Sequence, residues 1–75
     1  MLEMRPDCER CGRDLAPDSE EAFICSFECS FCAECTDGAL GGRCPNCGGK
    51  LERRPCRATD LLERYPASSQ RRGPR

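Results

Sequence analysis

The chain has 75 residues, a third of them charged, with nine cysteines and neither histidine nor tryptophan. So short a chain buries too little apolar surface to offset its conformational entropy comfortably, and such domains add disulfides, a metal or a partner. The net charge of −1 is unevenly placed: residues 1–51 hold five Lys/Arg against ten Asp/Glu, residues 52–75 seven against three, a poor balance for general nucleic-acid binding by the first part.

The opening stretch, MLEMRPDCER, carries charges at Glu3, Arg5 and Asp7 and no apolar run, so no secretory signal is expected. No stretch approaches the roughly 18 apolar residues of a membrane helix. A cytoplasmic location follows as the expectation. Thiols there stay reduced, and cysteines in C-x-x-C pairs then point to zinc ahead of a disulfide framework or an iron–sulfur or redox role.

PDCERCGRDLA (6–16) reads as a metal knuckle, with Gly12 just past the second cysteine, and PDSEEA as a polar loop. AFICSFECSF predicts a hairpin of two short strands near 22–26 and 28–31. CAECTDGAL predicts one or two helical turns from Cys32, stopped by Gly41 and Gly42. RCPNCGGKLERR is a second knuckle followed by a short strand at 50–53. After Pro55 the sequence reads as a basic, largely disordered tail, with a short helix at 59–65 carrying Asp60 and Glu63 as a capping pair. This divides the chain into a two-zinc domain, 1–54, and a tail, 55–75.

Eight of the cysteines fall into four pairs: Cys8/Cys11, Cys25/Cys29, Cys32/Cys35 and Cys44/Cys47. A C-x-x-C pair lets two thiolates reach one ion from a tight turn, and two pairs complete a closed tetrahedral four-sulfur site. Two Zn2+ ions per chain are therefore expected, and with them about four further negative charges on the folded part. A catalytic zinc would keep an open water position and use histidine or carboxylate, so no enzyme activity is expected. Cys56, the ninth, reads as a free thiol beside the folded part.

The intervals between the eight cysteines, 2, 13, 3, 2, 2, 8 and 2 residues, together with Cys29-Ser30-Phe31-Cys32-Ala33-Glu34-Cys35 and Cys44-Pro45-Asn46-Cys47, resemble the RING-finger pattern. The resemblance covers residues 8–47, with Cys29 standing where many members have histidine. It implies a small zinc-stabilised α+β fold: a cross-brace with treble-clef elements, a short β-hairpin and a short helix. It also implies the pairing, with Cys8, Cys11, Cys32 and Cys35 on one ion and Cys25, Cys29, Cys44 and Cys47 on the other. A strand carrying Cys29 and a helix starting at Cys32 point their thiols to different sides, which favours this arrangement. Sequential pairing and a single zinc stay open as alternatives. RING domains recruit ubiquitin-conjugating enzymes through an apolar residue after the first cysteine, an aromatic or apolar groove residue and a basic residue after the last. Glu9 and Gly48 occupy the two flanking places and tryptophan is absent, so ligase activity is not expected.

The stretches MLEMRP-x-C (1–8), ICSFEC-x-FC (24–32) and CPNCGG (44–49) are also similar to a family of short bacterial proteins of unknown function. That likeness implies a bacterial cytosolic source and carries no activity with it.

The function expected is a structural zinc module acting as a protein-interaction adaptor. The alternatives are a nucleic-acid-binding zinc module using Arg53, Arg54, Arg57, Arg64, Arg71, Arg72 and Arg75, and a thiol-based redox or zinc sensor. Phe23, Phe27 and Phe31 read as the small core between the ions, with Phe27 the best partner contact should the hairpin tip prove exposed.

Overall fold

The computed structural model describes residues 2–71 and 73. Strand β1 (Ala22–Ile24) is central, with β2 (Ser30–Cys32) on one side and β3 (Glu52–Arg53) on the other, all antiparallel. Phe23 stands opposite both Phe31 and Arg53. Helix α1 (Ala33–Asp37) follows β2 directly, and a 3-10 turn, η1, covers Thr59–Leu61.

The hairpin is shorter than the sequence suggests because its middle is committed to a turn. Cys25 donates its N–H to the Cys29 carbonyl (3.1 Å), Glu28 donates to the Cys25 carbonyl (3.0 Å), and Glu28 takes a left-handed φ of 66°. That turn lifts Phe27 out of the core to 72 % exposure, correcting its assignment beside Phe31 and Phe23. Phe31 is buried, and Phe23 packs partly buried against a cluster of Leu15, Ala22, Leu51 and the inward cysteines. Few branched aliphatics are available, so sulfur makes up much of the interior.

Helix α1 starts where expected because Cys32 is its N-cap: extended in backbone, it accepts the Cys35 N–H on its sulfur at 3.5 Å. It ends earlier than expected, at Gly38, whose N–H returns to the Glu34 carbonyl. Gly41 and Gly42, both at positive φ, shape the loop beyond rather than the helix end.

Arg54 is the unexpected anchor. Counted in the sequence among the basic residues near the tail, it is only 1 % exposed. Its guanidinium donates to the carbonyls of Arg5 (2.9 Å), Ala16 (3.0 Å) and Leu15 (3.4 Å), tying β3 to the N-terminal arm and the first loop. Burial pushes its pKa down. Three carbonyl dipoles compensate the desolvated charge, and the fork geometry that reaches them belongs to arginine alone.

Beyond Pro55 the described residues run back along the N-terminal arm, where the sequence reading places a largely disordered tail. Arg57 donates to the carbonyls of Leu2, Tyr65 and Pro66, Ser68 to that of Met4, and Arg71 to that of Gly12 and to the Asp14 carboxylate. The expected helix over 59–65 is the η1 turn, closed by the Leu62 N–H on the Thr59 carbonyl, and no side chain caps it. Arg72 and Arg75 lie outside the described residues.

Candidate metal centres

Two knuckles built alike bring cysteines inward. In the first, the Cys8 N–H donates to the Arg13 carbonyl (2.8 Å) and the Gly12 N–H to the Cys8 carbonyl (2.8 Å). In the second, Cys44 donates to Gly49 (2.8 Å) and Gly48 to Cys44 (2.9 Å). Each is flanked by one antiparallel bridge, Asp7 with Asp14 and Arg43 with Lys50. Gly12 and Gly48 sit at φ of 80° and 77°, the left-handed conformation that glycine adopts without strain and that reverses the chain just past the second thiol.

The first knuckle meets the start of α1. The sulfurs of Cys8, Cys11, Cys32 and Cys35 all lie within 4.8 Å of one another, and Cys11 and Cys32 are 3.7 Å apart. Zinc–sulfur bonds of roughly 2.3 Å in a tetrahedron require sulfur separations of about 3.8 Å, so this group matches a closed four-sulfur site. The second knuckle meets the hairpin turn, where the sulfurs of Cys25, Cys44 and Cys47 are gathered within the same 4.8 Å limit. Backbone N–H groups point at several of these sulfurs: Phe27 at Cys25 (3.3 Å), Gly49 at Cys47 (3.4 Å) and Cys35 at Cys32 (3.5 Å). Such donors can share the charge of a metal-bound sulfur and orient it.

The eighth expected ligand, Cys29, is buried but stands outside the second group, and its sulfur lies 3.5 Å from the Asn46 side-chain nitrogen. Cys56 belongs to neither group; its thiol reaches the carbonyls of Asp18 (3.3 Å) and Ser19 (3.6 Å) at the surface. All nine cysteines are free of disulfides.

The electrostatics of the thiols favour a cation. Burial works to raise the Cys8 thiol, but the N–H groups of Cys11, Cys32 and Arg10 outweigh it and bring it down to about 7. Burial pushes Cys35 up to about 12 despite Arg10, whose guanidinium reaches its sulfur at 3.7 Å. The Arg13 backbone works to lower Cys11, yet burial and the Cys8 and Cys32 thiols raise it, and burial also raises Cys44. Thiols packed this tightly cannot all ionise unless a positive ion shares the space.

Several residues of these centres are silent in the sequence. Glu9, inside the first knuckle, is 2 % exposed. Its carboxylate takes the Arg5 guanidinium at 2.6 Å, the Ser30 N–H at 3.1 Å and the Asn46 amide at 3.4 Å. Burial works against the Arg5 charge, but hydrogen bonds to Glu3 and Glu9 outweigh it and hold its pKa above the usual value. No spacing rule flags a carboxylate between two ligands as structural, because its partners come from residues 5, 30 and 46.

Sheet, knuckles and thiol groups define a small cysteine-rich α+β module with two clusters suited to metal. The chain belongs to the family described as Protein of unknown function (DUF1272), which it matches over residues 1–57. It is 61 % identical over 71 residues to Uncharacterized protein R02474 of Rhizobium meliloti (strain 1021), covering 95 % of this chain and 84 % of that protein. No solved structure matches it. Among the described residues no helix is long and apolar enough to cross a membrane.

Proposed function

We propose that the chain is a RING-like cross-brace zinc module. In this reading Cys8, Cys11, Cys32 and Cys35 hold one zinc ion and Cys25, Cys29, Cys44 and Cys47 the other. The supporting observation is interleaving: the first knuckle shares its cluster with the third cysteine pair, and Cys25 of the second pair shares its cluster with the fourth. Zinc supplies cross-links here, with closed sulfur coordination and no chemistry at a bound water. At roughly 10–16 kcal/mol for structural zinc, each ion outweighs anything the small apolar core contributes. The test is metal content by native mass spectrometry together with zinc-edge X-ray absorption. Two ions in all-sulfur environments support the reading, and one ion, or nitrogen or oxygen in the shell, overturns it.

The biological role proposed is a cytoplasmic protein-interaction adaptor that is not an enzyme. Phe27 supports it: a rigid turn held at Cys25 and Cys29 presents an aromatic ring at 72 % exposure. Capture of the same protein from the native host by the wild type, and its loss with Phe27→Ala at unchanged zinc content, is the expected result. Equal capture by both sinks the role assigned to Phe27. Binding through the basic tail is the lesser reading, because Arg54, Arg57 and Arg71 donate to groups of the chain itself.

A further inference from the structure

Glu9 and Asn46 lie inside the two knuckles, in Cys8-Glu9-Arg10-Cys11 and Cys44-Pro45-Asn46-Cys47, and they meet. The Asn46 amide nitrogen is 3.4 Å from Glu9 Oε1 and 3.5 Å from Cys29 Sγ. A carboxylate and a thiolate both accept, and the amide nitrogen carries two hydrogens, so one group serves both. Turned the other way, the amide oxygen would face two acceptors. Glu9 in turn fixes the residue after Cys29: its carboxylate accepts the Ser30 N–H (3.1 Å) and its own N–H donates to the Ser30 carbonyl (3.0 Å). Cys29 is thus gripped through its neighbour's backbone by Glu9 and through its sulfur by Asn46.

We infer that Asn46 is a positioning residue of the second metal centre: with Glu9 fixing its amide, it orients the Cys29 sulfur, which stands outside the Cys25, Cys44 and Cys47 group, for capture by the ion. This rests on the proposed reading that Cys29 is the fourth ligand. The first cluster needs no such device, because Cys32 and Cys35 sit on one helical turn. Cys29 follows Glu28, whose left-handed backbone leaves the sulfur to be aimed by a side-chain partner. A donor on a metal-bound thiolate orients it and stabilises its charge, and losing such a partner lowers metal affinity by about 10- to 100-fold.

The experiment uses the full chain loaded with two equivalents of cadmium-113, with NMR reporting each ion separately and chelator competition giving each affinity. Asn46→Ala should weaken the second ion by about 10- to 100-fold and leave the first unchanged. Asn46→Asp keeps the shape but loses the donor and adds a negative charge, so its loss should be at least as large. Asn46 lies at the surface, and neither change opens the core. In a Cys29→Ser background Asn46→Ala should have no further effect on the second ion. An Asn46→Asp protein with wild-type affinity overturns the inference, as does an Asn46→Ala loss that persists in full without the Cys29 sulfur. A wild-type chain that binds one cadmium overturns the two-site reading and this inference with it, before any variant is made.

Discussion

Arg54 donates to the carbonyl oxygen of Arg5 at 2.9 Å, closing a loop of 49 residues that encloses both cysteine clusters. The same guanidinium holds the carbonyls of Leu15 and Ala16. Removing it leaves three oxygens without this donor in an interior with no apolar group to replace them. Arg54→Met should therefore cost about 2–4 kcal/mol in the metal-loaded protein. Arg54→Lys should recover only part, since one ammonium cannot reproduce the fork. Denaturant unfolding at fixed metal checks both, and a loss below about 0.5 kcal/mol for Arg54→Met would contradict the anchor.

Removal of metal should unfold the chain. Ten cysteine, leucine, alanine and phenylalanine residues form the buried cluster, and six of them are cysteines. An apolar interior made mainly of thiols lacks the branched carbon that would hold it together once the cross-links are gone. Excess chelator should abolish sheet and helix signals by circular dichroism, and two equivalents of zinc should restore them. Native-like signals in the metal-free chain are the opposing outcome.

The pairs of cysteines are legible in the sequence because a knuckle is local: two thiols, a tight turn and a glycine just past them lie within six residues. Helix α1 is legible for the same reason, with Cys32 as cap and Cys35 one turn on. Arg54, Glu9 and Asn46 are not, because, apart from the local Glu9–Arg5 pair, each acts on partners at least 17 residues away and their residue types suggest solvent. Phe27 misleads by its type: an aromatic two residues after Cys25 reads as core, but the turn closing on Cys29 turns it outward. Spacing counts Cys29 among the ligands, while in the structure its sulfur stands outside the Cys25, Cys44 and Cys47 group and meets the Asn46 amide, a contact that spacing does not encode.

Metal uptake should release protons, and the release should steepen as pH falls. Cys11 is raised and Cys35 stands at about 12 in the folded geometry, and an unfolded thiol at about 8.5 is protonated too, so both carry protons in the metal-free chain at neutral pH. Each must lose its proton to bind, giving at least two protons per ion at the first cluster. Cys8, lowered to about 7 by the folded knuckle's N–H groups, returns to an ordinary thiol at about 8.5 once the metal-free chain unfolds, and its proton then adds to the count. The sign is then fixed: acid competes with metal, and affinity falls by at least about 100-fold per pH unit between pH 8 and 7, more steeply between 7 and 6. Calorimetry in buffers of different ionisation enthalpy measures the protons directly. Release below two per ion contradicts the protonation assigned to Cys11 and Cys35.

Gly48 isolates the conformational cost of a knuckle. It sits at φ 77°, and a Cβ there would meet nothing within 4 Å, so a larger side chain is opposed by backbone strain alone. Gly48→Ala should destabilise the metal-loaded protein by about 1–2 kcal/mol, and Gly48→Asn by less, because asparagine tolerates the left-handed region better. The strain falls on the segment that aims Cys47, whose sulfur receives the Gly49 N–H at 3.4 Å. Metal loss from the second cluster should therefore quicken while the first is unaffected. Unfolding curves with site-resolved cadmium exchange distinguish this from general destabilisation. Equal acceleration at both clusters, or equal cost for alanine and asparagine, is the result that excludes a local conformational origin.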